Sequence, residues 1–219
     1  MKIFESYSQI ETELMLSSDK FDNYRDLTKK VDEKFALIHR NFSSKMQCGL
    51  GCYGCCKAGL SVSKVEAEYI KDFLNEREGL RKGLVEKSVD NPHKSELCAF
   101  LDERGSCLIY EARPVICRSH GAPILIPEDQ LEDESENEGS EYGLSSEILG
   151  EGDKKKEPHI DVCPLNFKNE DLSTPEFSEA RINLSLLNTL LSLINMKMFP
   201  ADKGKRVALH PDAILSGEL

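Results

Sequence analysis

The sequence predicts a mainly α fold with a small β-hairpin and irregular metal-binding loops. Three observations point there. Phe21, Tyr24, Leu27, Val31, Phe35, Ile38 and Phe42 recur at spacings of three and four, with Lys29, Lys30, Glu33 and Arg40 off that stripe, as in an amphipathic helix. Ser63 and Glu66 stand three residues apart just before Ile70, Phe73 and Leu74, which is a capping box at a helix start. Between these segments the stretch CGLGCYGCC, residues 48–56, holds four of the eight cysteines in nine residues. Its glycines at 49, 51 and 54 suit a backbone that must fold several thiols onto one point through positive-φ and close-approach conformations.

In chain order, a short helix is expected from Tyr7 to Leu16, then the long one through Phe42, which delivers the chain into the cysteine loop. The capping box predicts a helix over 64–75. Leu80, Leu84 and Val89 allow a second, frayed by Gly79 and Gly83 and ending before Asn91-Pro92. CAFL and CLIY, two runs of β-formers around DERGS, read as a β-hairpin with Cys98 and Cys107 opening its strands. Pro114 can begin a short helix containing Cys117. APILIP reads as an edge strand, and order resumes at HIDVCPLNF around Cys163. Thr174 as cap, Pro175 at the first position and acids at 176 and 179 then predict one helix running to about Met198. Residues 182–199 are very apolar, but Ser185, Asn188, Thr189, Ser192 and Asn195 draw a polar face, so this helix is expected to pack on the core or on a protein partner rather than to enter a membrane. The last residues read as a loosely held tail. These readings divide the chain into an N-terminal helical arm (1–44), a cysteine-cluster domain (45–127 and 158–200), an acidic disordered insertion (128–157) and a C-terminal tail (201–219).

The formal charge is −11, and residues 128–153 supply eleven acids without a Lys or Arg. The remainder is close to neutral. With no basic face, a nucleic-acid partner is not expected, and the Glu-, Ser- and Gly-rich insertion reads as a disordered loop. The opening residues have early acids and no continuous apolar core of a secretory signal, so a cytoplasmic address is expected. In that reducing compartment clustered cysteines point to metal or redox chemistry before disulfides.

All eight cysteines, Cys48, Cys52, Cys55, Cys56, Cys98, Cys107, Cys117 and Cys163, fall in expected loops, hairpin ends or short turns, and all are candidate metal ligands. Thiolates are soft ligands for zinc, copper(I) or iron-sulfur clusters, and eight could close two zinc sites or hold two four-iron clusters. Adjacent Cys55 and Cys56 point in different directions from the backbone, which suits two nearby centres, or one ligand beside a supporting thiol. Lys45, Lys57, Arg113 and Arg118 are candidates to offset thiolate charge. His120 is a candidate ligand, proton carrier or hydrogen-bonded loop residue. Cys48, Cys52 and Cys55 also match the C-x3-C-x2-C spacing of radical S-adenosylmethionine enzymes. Those enzymes place an aromatic residue before the third cysteine, where this chain has Gly54, and no βα succession follows.

Taken together, Cys48, Cys52, Cys55 and Cys56, Cys98 in LCAFL, Cys107 in GSCLIY, Arg113-Pro114 through Cys117-Arg118, and Cys163-Pro164 resemble the YkgJ-type cysteine-cluster family over roughly residues 45–167. The resemblance implies a zinc- or iron-chelating domain whose matched cysteines are ligands. Flagellin lysine N-methylase is similar in its cysteine motif, implying an iron-sulfur-linked redox or methyl-transfer alternative. The acidic insertion between Cys117 and Cys163 departs from the family pattern. Two classes follow: a metal-chelating module holding zinc or iron, or an enzyme whose iron-sulfur centre keeps an open position.

Overall fold

The structure, a computed structural model, describes residues 20–49, 51–90, 96–126, 159–202 and 204–216. The expected helix at Tyr7–Leu16 and the acidic insertion lie outside these described residues. The described residues are mainly helical with two small sheets. Helices α1 (Asp22–Asn41), α2 (Lys64–Asn75), α3 (Glu78–Asp90), α4 (Val115–Ser119), α5 (Leu184–Met198) and α6 (Pro211–Ser216) are joined by short 3-10 turns at Ser43–Lys45, Tyr110–Ala112 and Pro175–Ala180. Strands β1 (Ser61–Val62) and β5 (Val207–Ala208) pair antiparallel. Strand β2 (Ile124–Ile126) lies between β3 (His159–Asp161), antiparallel, and β4 (Ile182–Asn183), parallel.

Two apolar clusters share the interior. The larger takes the stripe of α1 (Tyr24, Leu27, Val31, Ile38) against Leu187, Leu190, Leu191 and Ile194 of α5, with Phe167 and Phe177 closing one end. The smaller gathers Ala67, Ile70 and Leu74 of α2, Leu84 of α3, Phe100, Ile109 and Ala112 of the intervening loops, and Val207, Leu209 and Ile214 of the C-terminal segment. Helix α2 divides its faces between them, since Val65 belongs to the first cluster and Ile70 to the second. Burying side chains of this size stabilises by about 1.5–3 kcal/mol each, so the two clusters supply the main cohesion.

The capping box at the start of α2 is present and does more than cap. Glu66 Oε2 accepts from Ser63 N and Ser63 Oγ, both at 2.8 Å, and Glu66 Oε1 accepts from Val115 N at 2.9 Å. One buried carboxylate thus satisfies donors at the beginnings of α2 and α4, which otherwise have no partner within their helices.

Four expectations are corrected. APILIP does not lie at an edge, because β2 has a neighbour on each side. The helix expected from Pro175 to Met198 is broken. A 3-10 turn ends at Ala180, Arg181 is extended, and Ile182 N donates to Pro123 O as the chain joins β2. Asn183 then caps α5 by accepting from Leu186 N at 2.9 Å. The polar face of α5 also loses Asn195, which is buried, accepts from Val65 N and donates to Asp202. Finally, much of the expected loose tail is structural, with Val207 in β5 and Ile214 of α6 buried in the smaller cluster. No helix among the described residues is long and apolar enough to cross a membrane.

Candidate metal centre

The long helix α1 ends at Asn41, and the chain passes through a 3-10 turn into Met46 and Gln47 before Cys48. Turns follow quickly: Cys52 N donates to Gly49 O, and Cys56 N donates to Tyr53 O. Gly51, at φ +82°, has the left-handed conformation that a tight cysteine loop needs. Gly49 and Gly54 do not share it, and a methyl group at either would meet open space. The expectation that all three glycines are conformationally required is therefore corrected to Gly51 alone.

CAFL and CLIY do not form four-residue strands. A single antiparallel bridge, Leu101 to Cys107, survives of the expected hairpin, closed by Asp102 Oδ1 accepting from Arg104 N and Ser106 N. The two segments instead form a repeated turn. Cys98 O accepts from Leu101 N, and Cys107 O accepts from Tyr110 N. In each turn the amide two residues on, Phe100 or Ile109, donates to the cysteine sulfur. The side chains of Phe100 and Ile109 are fully buried in the smaller cluster, so packing fixes both turns and aims both thiols. An N–H aimed at sulfur favours the thiolate and is a natural support for a metal ligand.

The cysteine loop and this region are joined through the backbone. Cys98 N donates to Cys56 O and Ala58 N to Glu96 O, flanking the bridge between Lys57 and Leu97. Cys117 enters from α4 and packs, with Cys98 and Cys107, against the smaller apolar cluster. Cys56 lies within electrostatic reach of Cys117, Cys98 and Cys107.

Cys48 has a different setting. Its sulfur accepts from Asn166 Nδ2 at 3.0 Å, and the same amide nitrogen donates to Gly121 O at 2.7 Å. Asn166 Oδ1 accepts from Gln47 N at 2.7 Å. Asn166 N closes a turn onto Cys163 O at 2.8 Å, so one buried asparagine ties Cys48 to the turn that carries Cys163. Phe167 follows with a positive φ of 49°, which a bulky residue adopts only when its surroundings hold it there. Its ring lies against Phe42 and Phe177. Gly121 approaches so closely that a methyl group there would come within 2.5 Å of Cys48 Sγ. Cys48 lies within reach of Cys163, Cys52 and Cys55.

All eight cysteines are free thiols, Cys52 exposed and the others partly buried. Burial pushes the thiols of Cys48, Cys98 and Cys107 up, and that of Cys117 up to about 12. Cys55 and Cys56 share a hydrogen bond that raises the donor, Cys55, and lowers Cys56. Among the described residues no three His, Cys, Asp or Glu side chains are arranged to hold an ion as they stand. The thiols are gathered but not drawn together, as expected of soft ligands that a cation must pull into a shell. As a donor set of sulfur alone, they fit zinc or iron and offer little to a hard cation.

The charged candidates separate clearly. Arg113 lies near Cys55, Cys107 and Cys117 and favours their thiolates, with its guanidinium 3.7 Å from the Tyr110 ring centroid. Lys87, which the sequence did not single out, does the same for Cys98 while donating to Leu101 O. Arg118 is instead a structural bolt, bonded to Asp32, Glu111 O and Arg113 O. Lys45 pairs with Glu170. His120 Nδ1 bonds to Ile116 O at the end of α4.

Fold and site thus define a mainly helical, thiol-rich domain. Residues 47–140 match a family model described as "CxxCxxCC: Putative zinc- or iron-chelating domain", the cysteine-cluster family that the sequence resembles. The match takes in the first seven cysteines, and Cys163 lies beyond it. No curated protein and no solved structure matches the chain.

Proposed function

We propose that this protein chelates zinc or iron through its cysteine thiolates, with Cys48, Cys52, Cys55, Cys56, Cys98, Cys107, Cys117 and Cys163 as ligands. The observation that carries the reading is the convergence of free thiols from separate segments, aimed by buried neighbours such as Phe100, Ile109 and Asn166. A bound metal would supply the positive charge that lets several thiolates share one small volume. The chain's own residues do the rest. Backbone amides and Asn166 donate to sulfur, Arg113 and Lys87 offset negative charge, and the two apolar clusters hold the turns in register. The cytoplasm, where thiols stay reduced, is the compartment this chemistry suits.

Of zinc and iron, the proposed occupant is an iron-sulfur centre, because Cys48, Cys52 and Cys55 provide a three-cysteine spacing that suits a cluster. Redox or methyl-transfer chemistry would follow if one iron position stays open. Thiol accessibility tests the chelation itself. In the reduced, metal-loaded protein the cysteines should react slowly with a thiol reagent. After exhaustive chelation they should react quickly and the thermal midpoint should fall. Unchanged reactivity and unchanged melting would overturn the proposal.

A further inference from the structure

Resting on that reading, we infer that the eight cysteines form two separate four-sulfur centres. Cys48, Cys52, Cys55 and Cys163 make one, Cys56, Cys98, Cys107 and Cys117 the other, and the boundary falls between the adjacent residues Cys55 and Cys56. Different parts of the fold build the two sets. Cys98 and Cys107 open twin turns whose third residues, Phe100 and Ile109, are anchored in the smaller apolar cluster, and Cys117 packs on that same cluster from α4. Cys56 joins them through the bond from Cys98 N to Cys56 O beside the bridge between Lys57 and Leu97.

The other set belongs to the side of the molecule built on the larger cluster. Asn166 donates to Cys48 Sγ and closes the turn on Cys163 O, and the neighbouring Phe167 is buried in that cluster. Cys52 follows Cys48 in the same loop, with its N–H on Gly49 O. Cys55 is the junction, because it lies within reach of Cys48 yet hydrogen-bonds to Cys56. The tight turn in which Lys57 N donates to Cys55 O separates these neighbours. One centre using all eight sulfurs would have to draw ligands from both clusters through this junction. Two tetrathiolate centres need no such collapse, and four sulfurs complete the shell of one zinc ion or one four-iron cluster.

The test uses cobalt(II), a spectroscopic stand-in for zinc, titrated anaerobically into the reduced, metal-free full-length chain while sulfur-to-cobalt charge-transfer absorption is followed. Stoichiometry is checked by native mass spectrometry. The wild type should take up two equivalents. Cys55→Ser and Cys163→Ser should each lose one equivalent, and the two combined should still retain the other. Cys56→Ser and Cys107→Ser should behave in the same way for the second centre. Cys55→Ser combined with Cys56→Ser should abolish both. Circular dichroism in the far ultraviolet identifies any variant that has lost its helices, and Asn166→Leu, which keeps every sulfur, should weaken only the first equivalent. Saturation at one equivalent, or loss of both on Cys55→Ser with Cys163→Ser in a helical chain, would overturn the partition while leaving chelation intact. No cobalt uptake by a wild-type chain that also takes up neither zinc nor iron would overturn chelation itself.

Discussion

At the scale of single residues, the site depends on neighbours that carry no ligand atom. Gly121 has φ +101°, and its missing side chain leaves room for Cys48 Sγ. Gly121→Ala should therefore cost stability twice, through backbone strain and through displacement of the sulfur, by more than about 1 kcal/mol. Urea titration of the metal-free chain reads the first effect, and weaker metal uptake reads the second. Gly54→Ala meets open space and has no positive φ to strain, so it should leave both unchanged. Neither Gly121 nor Asn166 is legible as a site residue in the sequence. The only local signal is that Asn166 stands three residues after Cys163, and its bonds to Gln47, Cys48 and Gly121 join segments far apart in the chain. The cysteines stand out in the sequence as candidates because thiols in short turns are chemically conspicuous. The proximity of Arg118 to Cys117 suggests support for the thiolates, yet its three bonds to Asp32, Glu111 and Arg113 serve the fold.

Among the elements, locally specified starts and stops were readable and those set by distant partners were not. The start of α2 follows from Ser63 and Glu66, residues three apart, and the observed span Lys64–Asn75 is the one expected. The break before α5 follows from Ile182 pairing with β2, more than fifty residues earlier in the chain, which no local periodicity reports. CAFL and CLIY carry β-forming side chains because Phe100 and Ile109 must be buried, and that requirement is met by turns as well as by strands. Asn195 looked like part of a solvent-facing stripe, whereas it caps the amide of Val65 across the helix interface. Asn195→Ala would leave that buried N–H without a partner and should destabilise by about 1–3 kcal/mol, read from the shift in denaturation midpoint. Asn195→Asp, which keeps the acceptor beside Val65 but faces Asp202, should not fully restore stability.

For the whole molecule, the burial that raises the thiols gives pH opposite effects with and without metal. Cys48, Cys98, Cys107 and Cys117 are raised in the folded chain, so their protonated forms favour the fold below the unfolded thiol range, about pH 8.5. That stability is lost as pH rises through their folded values, with Cys117 at about 12 marking the upper end. The metal-free chain should therefore melt at progressively lower temperature above about pH 9. The loaded chain needs deprotonated thiols and should instead release metal as pH falls. Melting curves in the two states across pH check both signs.

The acidic insertion has its ends already joined, because Ile126 and His159 are register partners in β2 and β3. Deleting residues 130–156 leaves about five residues between those partners, within the range of a hairpin loop, and removes hard oxygen donors rather than thiols. The shortened chain should keep its full metal content by elemental analysis. The central claim is that this gathering of thiols holds zinc or iron. Anaerobic purification followed by elemental analysis, sulfide determination and a visible spectrum addresses it directly. The account predicts stoichiometric zinc or iron. The expected form is iron accompanied by sulfide, with an absorption that bleaches in air, and Cys52→Ser should diminish it while the helices persist. A folded chain that carries neither metal, takes up neither when reduced, and exposes all eight cysteines to thiol reagents would contradict it.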